Sequence, residues 1–197
     1  MNIFIKNNYI DSSSPFALSR FSNLVFKYLS EEHERNRDLV ILCIGTDRST
    51  GDALGPLVGH KLSPIIKNFK DVSLIGTLEY PIHAQNLEES LDKINENHRN
   101  PFIIAVDSSL GKQDRIGYLS IKNSPLRPGA GVNKVLPAVG DIAITGIVNI
   151  GGMMEFMVLQ NTRLSLVMNM ADIISKSIYL SLSRLYSDKD ESYILEK

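Results

Sequence analysis

Leu39-Val-Ile-Leu-Cys-Ile-Gly-Thr-Asp-Arg-Ser-Thr-Gly-Asp-Ala-Leu-Gly-Pro56 is the stretch whose reading decides the fold. It opens on an apolar, β-branched run, Leu39 to Ile44, the pattern of a strand buried on both faces. Gly45 ends that run, and a polar turn follows with Asp47, Arg48, Ser49, Thr50 and Asp52. A helix then begins, with Ala53, Leu54, Leu57, Val58 and Leu62 as its inner face. Strand, turn and helix in that order put the turn at the carboxyl end of a strand, where open α/β sheets hold their chemistry. Two acids, a base and two hydroxyls in so few residues make the turn a candidate site.

Outward from that stretch the alternation continues. Val72 to Thr77 reads as a second strand, and Tyr80-Pro81-Ile82 breaks the pattern. A helix is expected from His83 or Ala84 to Asn95, with Leu87, Leu91 and Ile94 inward. Phe102-Ile-Ile-Ala-Val-Asp107 is a third strand, closed by an aspartate and Ser108-Ser109. Gly117 to Ile121 is a shorter strand, Pro128 to Lys134 a glycine-rich loop, and Asp141 to Val148 a further strand. From about Met153 to Tyr186 one helix is expected, with Val167, Met170, Ala171, Ile174 and Ile178 on one face and its methionines as core filler. Upstream, Asn7 to Ser14 is polar, and Ser14 is expected to cap a helix with Pro15 at its first position. Phe16, Leu18, Phe21, Leu24, Val25 and Tyr28 then recur at near-helical spacing, and Glu31 to Asp38 reads as a solvated helix end.

Strands alternating with helices predict a three-layer α/β sandwich, a mostly parallel sheet with helices on both faces. The chain of 197 residues is 43% hydrophobic, enough for one domain spanning 1–197, with 1–13 and 188–197 expected to be flexible. A net charge of -1 argues against a nucleic-acid or anionic-membrane partner. The single cysteine, Cys43, lies in the first strand as a small hydrophobe and excludes a disulfide framework, which fits a cytoplasmic setting. Met1 to Lys6 is too short and polar for a secretory signal, and no apolar run is long enough to span a bilayer.

Right-handed crossovers bring the ends of strands 39–44 and 103–106 to one rim, and with them Asp52 and Asp107. Two close carboxyls cannot both ionise cheaply, so one holds a proton while the other stays charged. Such a pair can activate water and protonate a leaving amine, the chemistry of aspartic peptide hydrolysis. Each acid alone has a plainer reading: Asp52 as a helix N-terminal acid, Asp107 as the cap of the next turn. Asp47 and Arg48 are candidates for orienting the pair or holding substrate backbone; the plainer alternative is a local salt bridge. Ser49 and Thr50 read as caps, since no Gly-x-Ser-x-Gly elbow surrounds them. His83 is the histidine that follows a strand on the presumed rim, as ligand, acid or surface group. The loop glycines Gly129 and Gly131 and the nearby Lys134 either make a tight turn or present amides and a cation to a peptide or oxyanion. The glycines fit no phosphate-loop or dinucleotide pattern, and no His-x-x-x-His or Cys-x-x-Cys spacing exists, so neither metal nor other cofactor is expected.

Gly45-Thr-Asp-Arg-Ser-Thr-Gly-Asp-Ala-Leu-Gly-Pro56, Gly76-Thr-Leu-Glu-Tyr-Pro-Ile-His-Ala-Gln-Asn86 and the loop at Pro128 together resemble the YyaC family of sporulation proteins. The resemblance covers the chain from about Leu39 to the C-terminal helix. That family in turn resembles the spore germination protease, an atypical aspartic endopeptidase, and more distantly the hydrogenase maturation proteases. Thr50-Gly51-Asp52-Ala53-Leu54-Gly55-Pro56 is similar to the germination protease's Thr-Pro-Asp-Ala-Leu-Gly-Pro segment, which implies Asp52 as one catalytic acid. Ile104-Ala105-Val106-Asp107 is similar to its Ile-Ala-Ile-Asp segment, which implies Asp107 as the other, and Pro128-Gly129-Ala130-Gly131-Val132 is like its Pro-Gly-Ser-Gly-Val loop. The chain is shorter than that protease, which implies fewer substrate-recognition parts. Maturation proteases hold nickel with an acid, an aspartate and a downstream histidine, whereas no histidine follows His98 here.

The resemblance implies an aspartic-type endopeptidase of sporulation or germination, acting on a protein or peptide substrate such as small spore proteins. Two rivals stand beside it: a peptidase-like binding protein without turnover, and a metal-dependent maturation factor using Asp52, His83 and Asp107. A homo-oligomer is compatible with either class.

Overall fold

A computed structural model describes residues 8–33, 37–128 and 136–195. The expected flexible segments 1–13 and 188–197 therefore fall partly outside the described residues. Among those described, the strands form one six-stranded sheet in the order β1-β5-β6-β4-β2-β3. They are β1 (Tyr9–Asp11), β2 (Leu39–Cys43), β3 (Val72–Ile75), β4 (Phe102–Gly111), β5 (Tyr118–Lys122) and β6 (Ile142–Ile150). β3, β2, β4 and β6 are mutually parallel, while β5 runs antiparallel to both β6 and β1. The sheet is thus mostly parallel, and its helices cover both faces.

Side-chain alternation along β2 and β4 sorts the core into two layers. Leu39, Ile41, Cys43, Phe102, Ile104 and Val106 point to the face covered by α1 (Ala17–Glu32), α2 (Leu54–Ile66) and α5 (Leu164–Leu195). Phe21, Leu24 and Leu29 of α1 and Val167, Met170, Ile174 and Ile178 of α5 fill this larger core. Val40, Leu42, Ile44 and Ala105 point to the opposite face, against Leu87 and Ile94 of α3 (Leu87–Asn97) and the pair Leu126 and Val139. Every residue of β2 is buried, as its unbroken apolar run requires of a strand covered on both sides. No helix among the described residues is long and apolar enough to cross a membrane.

Several boundaries differ from the sequence reading, each for a local reason. The polar lead-in contains β1, whose three residues pair with Tyr118–Ser120 and are too few to show a period. α1 starts at Ala17 rather than Pro15, because Asp11 Oδ1 accepts from the Ser13 amide and hydroxyl and winds the preceding residues into a turn. α3 starts at Leu87 because the Asn86 side chain accepts from the His83 amide at 2.8 Å and donates to the Pro81 carbonyl at 3.1 Å, holding 83–86 as a turn.

The long C-terminal helix is two helices, α4 (Glu155–Gln160) and α5. Side chains capture the carbonyls that would continue the first: Asn149 Nδ2 and Thr162 Oγ1 both donate to Val158 O, and Asn161 Nδ2 donates to Met157 O. The expectation that its methionines fill the core holds for Met170 but not for α4 and its approach. There Met153 is 88% and Phe156 62% exposed, with Met154 and Met157 also on the surface.

Candidate active site

The chain leaves β2, passes through α2 and adds β3 on one side, then crosses through α3 to add β4 on the other. The carboxyl ends of β2 and β4 therefore flank a topological switch point, the crevice where doubly wound sheets bind ligands. β2 pairs with β4 only as far as Cys43↔Val106, whereas β4 runs on beside β6 through Asp107↔Thr145 to Gly111↔Ile150. Asp107 therefore lies inside β4 instead of ending it. It is the place where one neighbouring strand has stopped.

Two glycines of the opening motif seat the polar turn in that gap. Gly45 has φ +141°, and a Cβ there would lie 2.0 Å from the Asp52 carbonyl oxygen, so only glycine lets the turn fold back. Gly55 packs α2 directly on the strand, since its Cβ would lie 2.0 Å from Ile44 O. The Thr46 amide donates to Asp52 O at 3.1 Å and closes the loop, and a single 3-10 turn, Gly51–Ala53, carries Asp52 into α2. Gly45 N donates to Ile82 O at 2.7 Å, which pins the segment after β3, and with it His83, to the same rim.

A cavity of about 480 Å³ opens between these segments. Its polar lining includes Thr46, Arg48, Ser49, Asp52, His83, Ser108 and Ser109; Ile44, Leu110, Leu136, Phe156 and Leu159 form an apolar wall. Asp107 lies behind Asp52 and is only 7% exposed. Burial pushes its carboxyl well above the usual range, the neighbouring charge of Asp52 pushes the same way, and the Ser108 amide, donating to Asp107 Oδ1 at 2.7 Å, opposes them. Burial also raises Asp52, but the Thr46 amide, the Ser108 hydroxyl and the charge of His83 counter it. The two environments divide the labour, with the proton favoured on Asp107 and the charge on Asp52.

The structure thus brings Asp52, Asp107, Arg48 and His83 together. Asp47 is exposed and does not line the cavity. Gly129, Gly131 and Lys134 lie outside the described residues; the flanking Pro128 and Leu136 do reach the cavity. The Gln85 amide donates to His83 Nδ1 at 3.3 Å. Among the described residues no three His, Cys, Asp or Glu side chains converge to hold a metal ion.

Sequence reading took Ser49 for a helix cap, which it is not, and missed Ser108 and the α4 wall. Ser49 is 7% exposed, and its hydroxyl has no hydrogen-bond partner among the described residues. Ser108 carried a signal, since it directly follows the strand aspartate. Phe156 and Leu159 carried none, because they fell inside what read as one long helix.

Comparison with known proteins agrees with this architecture. The chain is 51% identical over 145 residues to "Uncharacterized protein YyaC" of Bacillus subtilis (strain 168), a match covering 74% of this chain and 70% of that one. Its fold is similar to the crystal structure of a [NiFe] hydrogenase maturation protease, HycI from Thermococcus kodakarensis KOD1. That likeness has a TM-score of 0.55 at 20% identity and covers 81% of this chain and 99% of the other. Residues 9–177 match the family model described as "Protein of unknown function (DUF1256)", and the chain belongs to that family.

Proposed function

We propose that this protein is an aspartic-type endopeptidase in which Asp52 and Asp107 share one proton and activate water for peptide-bond hydrolysis. The observation that carries the reading is the carboxyl pair at the switch point, with Asp52 on the cavity wall and Asp107 buried beside it. Asp52, charged, takes a proton from water as the hydroxide oxygen adds to the amide carbonyl carbon. The pair then holds two protons and returns one to the amide nitrogen as the carbon–nitrogen bond breaks, which restores the starting state. In this reading Arg48 and His83, which line the cavity, hold the peptide, and the apolar wall accepts its side chains. The protease-like fold of a maturation protease and the resemblance to spore proteins support a cytoplasmic protease of the sporulating cell acting on small spore proteins.

The experiment is incubation of the purified chain with small spore proteins, with Asp52→Asn and Asp107→Asn in parallel. Wild-type cleavage that falls by roughly 10²–10⁴-fold in each variant is expected. Cleavage that persists in both removes the acid pair. Tight binding without cleavage by the wild type favours the binding-protein alternative.

A further inference from the structure

The cavity has two chemically different sides. Asp52, Arg48 and His83 belong to the polar one, whereas α4 supplies Phe156 and Leu159 to the apolar one. α4 is seated on the turn that carries Asp52. A Cβ at Gly51 would lie 2.8 Å from Leu159 Cδ2 and 2.8 Å from Thr162 Oγ1, so glycine lets the helix rest directly on that turn. Asn149 Nδ2 of β6 also fastens α4 to the sheet, donating to Val158 O at 3.2 Å. Away from the turn the same segment is apolar and uncovered: Met153, Met154, Phe156 and Met157 are all more than half exposed. Glu155 is the one charge between Ile150 and Asn161, and its carboxylate accepts from the Gly152 amide at 3.3 Å. Phe156 belongs to both surfaces, so the exposed apolar face continues into the cavity.

We propose that α4 and its approach are the docking surface of the cavity for an extended polypeptide with bulky apolar side chains, and that Phe156 determines this specificity. The inference rests on the aspartic reading above and names the substrate class of the same site. A chain whose peptide bond lies at Asp52 sets one side chain against Phe156 and Leu159, and its neighbouring residues run over Met153 and Met157. Because α4 rests on residue 51 and the acid is residue 52, the apolar wall and the reacting group keep a fixed spacing. Removing apolar surface of both partners from water supplies the affinity. Methionine suits such a surface, since its unbranched, polarisable thioether adapts to side chains of different shape. A charged side chain pressed on Phe156 and Leu159 would lose its water and meet no polar group there. An exposed apolar face marks an interaction surface, and its continuity with the cavity makes the substrate its occupant rather than a second copy of the chain.

The test is NMR of the methionine methyls in the full chain, carrying Asp52→Asn to prevent turnover. The probes are blocked Ala/Ser peptides that differ only in a central Phe, Leu, Asp or Lys. The Phe and Leu peptides should shift the Met153, Met154 and Met157 methyls at concentrations about 10–100-fold below the Asp and Lys peptides, with the buried Met170 unmoved. Phe156→Ala should weaken the Phe peptide about tenfold, whereas Leu180→Ala, which removes an exposed apolar residue of α5, should leave it unchanged. Phe156 is largely exposed, so its truncation leaves the core intact. Equal affinity for all the peptides, or an affinity unchanged by Phe156→Ala, overturns the proposal. So does sedimentation of the wild type as a dimer that Met153→Ser and Met157→Ser dissociate, since the face then belongs to a second copy. A wild type that binds the Phe peptide without cutting it counts against the acid pair and leaves the docking surface standing.

Discussion

Replacing Gly55 by alanine tests whether the acid pair depends on how closely α2 sits on β2. An added Cβ would lie 2.0 Å from Ile44 O and 2.7 Å from Ile44 N. Carbon needs about 3.5 Å from such neighbours, so the helix must withdraw by more than about 1 Å. Both partners are backbone, so no rotamer change relieves the overlap. Overpacking of this kind costs about 1–3 kcal/mol. At roughly 2–4 °C per kcal/mol for a chain of this size, Gly55→Ala should lower Tm by about 2–12 °C. The same displacement carries Asp52, one turn upstream, away from Thr46 and Ser108, and a 1 Å error at a reacting group costs on the order of 10²-fold in rate. The assay is thermal unfolding followed by circular dichroism, with cleavage of small spore proteins beside it. Gly151→Ala is the control, because its nearest neighbour, Leu110 Cβ, lies at an ordinary 3.4 Å. A Gly55→Ala protein with the Tm of the wild type would show that the helix–strand contact does not position the acid.

Two further outcomes follow from the charges. Asp107 has a folded-state pKa above its unfolded one, so its contribution to stability is full below about pH 4 and is lost as pH rises toward the folded value. While the unfolded carboxyl is ionised and the folded one is not, wild type should lose about 1.4 kcal/mol per pH unit that Asp107→Asn does not. The Tm advantage of Asp107→Asn should therefore widen from pH 4 toward neutrality, and a pH-independent difference refutes the buried-proton assignment. At the opposite rim, the Arg37 guanidinium donates to the carbonyls of Asn100 at 3.0 Å and Pro101 at 2.7 Å and to Asp141 Oδ1 at 3.1 Å, while Asp141 Oδ2 receives the Ile103 amide at 2.8 Å. Arg37→Ala should cost about 1.5–3 kcal/mol in urea unfolding without touching the acid pair, and a loss under about 0.5 kcal/mol removes the clamp from the account of stability.

The strands that carry the fold were legible because burial on both faces leaves continuous apolar runs, as in Leu39–Cys43 and Phe102–Val106. The turn acids were legible because glycines and a strand end bracket them. What escaped was decided by contacts distant in sequence. β1 exists because Tyr118–Ser120 needs an edge partner, not because Tyr9–Asp11 has a pattern. The break after Gln160 depends on Asn149, which lies on β6 and reaches Val158 O and Thr162 Oγ1. Asn161 and Thr162 lie inside the run and also compete for its carbonyls, but polar residues at single positions of a helical pattern do not by themselves mark a break. Asp47 and Arg48 were indistinguishable as candidates until the turn was folded, and then only Arg48 of the two lined the cavity.

The position of the acids also accounts for their unequal surroundings. A carboxylate buried in a sheet costs stability unless donors meet it, and a fold maintains such a cost where another gain offsets it. Here β2 stops one residue before the level of Asp107, so the sheet supplies no ladder partner on that side and the polar turn takes its place. A longer β2 would cover Asp107 with strand and leave no route from its carboxyl to the cavity. A shorter β4 would remove Ser108, whose amide donates to Asp107 Oδ1. The mismatch in length between two adjacent parallel strands is therefore the structural origin of the pair, and the glycines at 45 and 55 are what allow the turn to fill the step it creates.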